Sequence, residues 1–164
     1  MLIDAAVRSG AIQRPTGMQN GVARFLDSVR IGSAGGLATY RPGEGPTPTM
    51  TAEALATRLL IGQKVSAGAI REAEAVLMSE LPGHTNGPDN YYFWYYATIA
   101  LHQLQDDAWQ RWNAALKQRI LSSQRSNGSW SDSTLWGGYG GTVYSTSMAT
   151  LCLESYYRHD RRTE

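Results

Sequence analysis

Apolar residues recur every three or four positions along most of the chain, and polar or glycine-rich stretches interrupt them at regular intervals. The spacing predicts helices. Val22, Phe25, Leu26 and Val29 mark one over 18–31. Met50, Ala54, Leu55 and Leu59 mark the next over 47–62, with Thr47 as N-cap, Pro48 at the first helical position and Gly62 at the end. Ile70, Ala73, Leu77 and Leu81 form a stripe that starts from Ser66 and is stopped by Pro82-Gly83. Trp109, Trp112, Leu116 and Ile120 form the clearest stripe, in a helix over 106–124 capped by Asp106 or Asp107. The aromatic start of "NYYFWYYATIALHQL" suits a strand, but its "ATIALHQL" end and its helical neighbours favour a helix. A last helix is predicted over 142–157, and a helical stub over 1–9. The stub opens on apolar Met1, Leu2 and Ile3 without a capping residue, so a longer chain with upstream helix is expected. No strand pair is predicted. The expected fold class is all-α, with about seven helices in a single domain over 1–164.

The links between these helices alternate. Those near 63–66 and 105–106 are short, whereas 31–46, 82–90 and 125–141 are long and rich in glycine. Alternating links describe a row of antiparallel helical hairpins. The hairpins also repeat. "TAEALATRLL" from Thr51, "YATIALHQL" around Ala97 and "TSMATLCLE" from Thr146 are small-residue helices, each preceded by an aromatic or glycine-rich turn, at spacings of 46 and 49 residues. Such a period predicts a solenoid or closed ring in which each hairpin buries its face against the next.

One turn carries a motif. In "SQRSNGSWSD", Gln124, Gly128 and Trp130 are spaced Q-x-x-x-G-x-W directly after a helix. A structural role is expected for it. Gly128 lets the chain turn, the Trp130 ring covers the end of the hairpin stacked on the Gln124 amide, and that amide satisfies open backbone groups at the helix end.

This motif, at this period, resembles the QW repeat of the squalene cyclase and protein prenyltransferase superfamily. The layout is similar to that of bacterial proteins carrying prenyltransferase/squalene-oxidase repeats. The resemblance covers most of the chain and is strict only at Gln124, Gly128 and Trp130; around 35–62 Tyr40 stands where Trp is expected, with no Gln six residues earlier. It implies an α/α toroid, an inner ring of helices within an outer ring, of which this chain would form part. The chemistry of the family is not carried over. The D-x-D-D acid motif has only "LQDD" at 104–107 as a counterpart, with Leu104 in the first position. The prenyltransferase zinc ligands in D-x-C-Y-S fall on Gly141 and Val143, so both are lost and no metal or cofactor is expected. The resemblance therefore implies a non-catalytic repeat module binding a partner protein or a ligand. The competing expectation is a terpene-cyclase or prenyltransferase-like enzyme acting on an isoprenoid, with Asp132, Asp89, Glu154 or His102 as its acid.

Composition narrows the partners. A net charge of +1 offers no surface for nucleic acid, and no apolar run reaches the length of a membrane span. The lone Cys152 cannot form an internal disulfide, which favours a reducing, cytoplasmic setting, and its mid-helix position reads as core. His84, His102 and His159 show no metal-ligand spacing, and "GGYGG" has no following Lys to hold a phosphate. Nine Tyr and five Trp against two Phe point to aromatics placed where one end is apolar and the other wet. Tyr91, Trp94 and Tyr95 begin one repeated helix, Trp136, Tyr139 and Tyr144 surround the start of another, and Tyr40 precedes the third. These seven are the expected binding residues, for an apolar or carbohydrate-like ligand at the central face. A partial ring would leave an apolar edge, covered by missing chain or by self-association.

Overall fold

The computed structural model describes residues 6–7, 9–13 and 16–158. Among them are six helices: α1 (Thr16–Ser28), α2 (Pro48–Leu60), α3 (Ala67–Ser79), α4 (Tyr91–Leu104), α5 (Asp107–Ser123) and α6 (Gly137–Arg158). The predicted stub over 1–9 falls largely outside the described residues, and His159 lies outside them.

Four of the helices begin at a side-chain cap. Thr47 Oγ1 accepts from the Met50 N–H, Ser66 Oγ from Ala69, Asn90 Oδ1 from Phe93 and Asp106 Oδ1 from Trp109, at 3.1–3.2 Å. Each cap supplies an acceptor to a donor that the first helical turn leaves open. Asn90 explains why the aromatic run at 91–96 is helical. The cap starts a helix that Ala97 and Ala100 continue, and this outweighs the sheet preference of its Tyr and Trp.

α4 is the centre of the fold. It packs between α2 and α6, while α3 packs against α2 and α5, and α5 against α4. The helices thus form two layers, α2-α4-α6 and α3-α5. α4 is buried on nearly every side, as a helix apolar all round must be. Leu55, Leu77, Ile99, Leu101, Trp112, Leu116 and Ile120 fill the space between the layers. The Trp112 indole donates to Thr98 Oγ1 at 2.9 Å and meets the Phe93 ring edge-on, with centroids 5.6 Å apart. α1 packs on α2 through Leu26, Val22 and Ala54. There the buried Arg58 guanidinium donates to the Leu26 carbonyl at 3.1 Å.

The loop between α1 and α2 holds a small antiparallel hairpin that the sequence pattern does not show. β1 (Arg30–Ile31) pairs with β2 (Leu37–Ala38), Arg30 opposite Ala38 and Ile31 opposite Leu37. Its tip is fastened to α3 by Glu72, whose carboxylate accepts from the N–H groups of Ser33 and Gly36 at 2.7 Å and of Ala34 at 3.2 Å. These backbone donors, Gly36 foremost, hold the Glu72 carboxyl below the ordinary carboxylate range. A Cβ on Gly36 would collide with the backbone carbonyl of Ala69, which has no flexible end to give way. Gly36→Ala should cost about 1–3 kcal/mol by overpacking, read as a lowered denaturant midpoint. An unchanged midpoint would show that the tip does not sit on α3.

Glu74 on α3 faces Asp106, the cap of α5. Burial, and then that neighbouring carboxylate, raises its pKa to about 7. A carboxyl raised from 4.5 to about 7 contributes stability that is complete below pH 4.5 and lost as pH rises through 7. Glu74→Gln should abolish this part of the pH dependence, measured as the difference in urea midpoint between pH 4.5 and pH 8.

The last helix differs from the 142–157 reading. It starts five residues earlier, at Gly137, and breaks at Gly141, whose φ of 64° and ψ of −166° belong to a region open essentially to glycine alone. "GGYGG" is therefore a kinked helix entry that turns Tyr139 into solvent, 89% exposed.

Candidate functional site

The Gln124 motif closes the hairpin, by different contacts from those its spacing suggests. The Gln124 amide donates to the Gly128 carbonyl at 3.0 Å, inside a tight loop in which Gly128 has φ 83°. Trp130 itself serves the helix end. Its indole N–H donates to the Ile120 carbonyl in the last turn of α5 at 2.9 Å, and its backbone N–H donates to Thr146 Oγ1 on α6 at 3.2 Å. The ring is buried, and through its side-chain and backbone N–H groups this one residue joins α5, the loop and α6.

The loops before α4 and α6 are also joined. Asp89 pairs with Arg119 of α5 at 3.0 Å, and its carbonyl accepts from the Leu135 N–H, also at 3.0 Å. Thr39 pairs with Pro46, and the Thr47 N–H donates to the Ala38 carbonyl, which fixes the turn bearing Tyr40. These ties bring the starts of α2, α4 and α6 together around a cavity of about 790 Å³. Tyr40, Thr47, Thr49 and Met50 form the α2 side of its wall, Asn90 and Tyr92 the α4 side. Leu135, Trp136, Tyr139, Gly140 and Tyr144 form the α6 side. The exposed wall is mostly carbon. The hydroxyl of Thr47 and the amide oxygen of Asn90 are already engaged as caps, so ring faces dominate what a ligand would meet.

Of the seven expected binding residues, the cavity brings together Tyr40, Trp136, Tyr139 and Tyr144. Tyr91, Trp94 and Tyr95 are buried, at 3%, 3% and 8% exposure, and line no part of this cavity; Trp94 instead lines an adjoining cavity of about 450 Å³ that shares Thr49, Asn90 and Leu135 with it. From the same aromatic run, it is Tyr92 that reaches the wall. Gly140 is there by necessity, since a Cβ would strike the Tyr144 side chain.

The acids singled out in the sequence are elsewhere. Asp89 is held by Arg119, Asp132 is exposed in the loop, and the His102 ring packs edge-on against Trp109 and Tyr156, with centroids 5.0 and 5.9 Å away. None of these three, nor Glu154, lines the cavity. The carboxyl near it is Glu53, which sequence reasoning missed. Glu53 lines a smaller neighbouring cavity of about 240 Å³ that shares Tyr40 and Met50 with the large one. Burial raises its pKa above the ordinary carboxylate value, partly offset by the nearby Tyr92 hydroxyl. Burial, with Glu53 and Tyr96 close by, raises Tyr92 in turn. Cys152 is fully buried and its thiol is pushed far up by burial, which removes it as a nucleophile.

Among the described residues no group of His, Cys, Asp and Glu could hold a metal ion, and no helix is long and apolar enough to cross a membrane. No family model, curated protein or solved structure matches the chain.

Proposed function

We propose that the chain is a non-catalytic helical repeat module, a segment of an α/α toroid, that binds an apolar ligand in the aromatic cavity at the starts of α2, α4 and α6. The cavity carries this reading. At about 790 Å³ it falls within the roughly 300–1,000 Å³ usual for small-molecule sites, and its wall is mostly carbon with few free polar groups. That wall suits an alkyl or isoprenoid chain better than a carbohydrate, whose hydroxyls would lose water without enough partners. The toroid reading is supported by the two-layer order of the hairpins and by the repeated helices sharing one cavity at their starts. It is supported further by α6, which exposes Val143 and Tyr157 where another hairpin would pack.

Trp136 is half-exposed in the cavity wall, while Trp94, Trp109, Trp112 and Trp130 are buried, so ligand entry should be read chiefly by Trp136 fluorescence. Titration with 1-decanol should give a saturable change, and maltose should give none. Saturation by maltose alone would replace the apolar ligand with a sugar; no response to either would remove the binding reading.

An isoprenoid cyclase remains the second reading, favoured by a half-buried acid, Glu53, beside an apolar cavity. Its pKa is shifted the wrong way, because protonating an alkene needs a stronger acid than an ordinary carboxyl and burial makes this one weaker. Incubation with squalene or farnesyl diphosphate should give no cyclised product in the solvent extract by gas chromatography, and such a product would reinstate the enzyme.

A further inference from the structure

The smaller cavity holds a single charged side chain. Its other walls are Val22, Phe25 and Leu26 of α1, Val29 just after it, Ala38 and Thr39 of the hairpin, and small or apolar positions of α2. Glu53 projects from α2 into this setting. Its Oε1 is shielded from solvent and has no hydrogen-bond partner, and no basic side chain among the described residues pairs with it. A buried acceptor without a donor costs free energy that a binding partner can recover. The one buried cation nearby in sequence, Arg58, is turned to the Leu26 carbonyl. Aromatic faces stand on the side where the two cavities meet: Tyr40 belongs to both walls, and Tyr92 lines the large cavity with its hydroxyl near Glu53.

A carboxylate that keeps one oxygen open beside its Tyr92 hydrogen bond, flanked by aromatic rings, is the chemistry that recognises an ammonium group, by a charge-assisted hydrogen bond and by attraction to the ring faces. We infer that the small cavity is a head-group subsite for an amphiphilic amine, whose ammonium meets Glu53 while its apolar body passes Tyr40 and Met50 into the aromatic cavity. This rests on the apolar-ligand reading and adds the class of head group.

A matched pair of probes separates the two ideas. Decylamine, protonated at neutral pH, and 1-decanol differ only at the head. Wild-type protein should bind decylamine about tenfold more tightly than 1-decanol, below the aggregation limit of either. E53Q should lose that preference while keeping its affinity for 1-decanol, which also shows that the variant is folded and its cavity intact. The wild-type comparison stands even if the variant does not fold. Equal binding of the two probes by wild type, or a preference that survives in E53Q, overturns the subsite and leaves the apolar cavity standing. Binding of neither probe overturns both.

Discussion

Trp130→Ala should lower the stability of the protein by about 3 kcal/mol, the usual cost of removing a buried aromatic from a packed site. For a chain of this size that is roughly 6–12 °C in melting temperature. The ring is 3% exposed, lies in the main core with Ile120 and Ala149, and ties α5 to α6 through its two N–H groups. The Ile120 carbonyl keeps one donor after the substitution, the Ser123 hydroxyl at 3.1 Å, so the loss is of packing more than of the hydrogen bond. Tyr95→Ala should also be destabilising, because Tyr95 is buried, whereas Tyr139→Ala should melt like the parent. Thermal melts followed by circular dichroism check all three. A Trp130→Ala protein that melts with the parent would show that the ring does not hold the hairpin.

Trp136→Ala should have the opposite profile, with stability unchanged and ligand affinity strongly reduced. The ring is 47% exposed and lies about 6 Å from that of Tyr139, so few core neighbours depend on it. It forms part of the cavity wall, and its loss should remove about 2 kcal/mol of apolar contact with a bound chain, on the order of thirtyfold in Kd. Calorimetric titration with 1-decanol measures this without relying on Trp136 fluorescence. Unchanged affinity would place the ligand elsewhere; a collapsed melting temperature would make Trp136 a packing residue.

Most helices were legible because their caps and stripes are local signals. Thr47-Pro48, Ser66 and Asp106 announce starts that no distant contact is needed to explain. The hairpin at 30–38 was not legible: two-residue strands have no period, and their partner Glu72 lies more than 30 residues away. The site divides in the same way. Trp136 and Tyr139 stand beside glycines and Tyr40 in a polar turn, which marks them as loop aromatics. α4, buried all round, has no polar face to set its orientation. Its sequence therefore could not tell that Tyr92 turns to the cavity and Trp94 to an adjoining one while Tyr91 and Tyr95 turn inward. Glu53 gave no signal either, since its burial is made by α1 and the hairpin packing across α2.

An apolar chain is expected among the aromatic rings where α2, α4 and α6 begin. Intermolecular nuclear Overhauser effects between 1-decanol and the protein test it most directly. Contacts are expected from the decyl chain to the ring protons of Tyr40, Tyr92, Trp136 and Tyr144. Contacts confined to the outer face of α6, at Val143 and Tyr157, would contradict it.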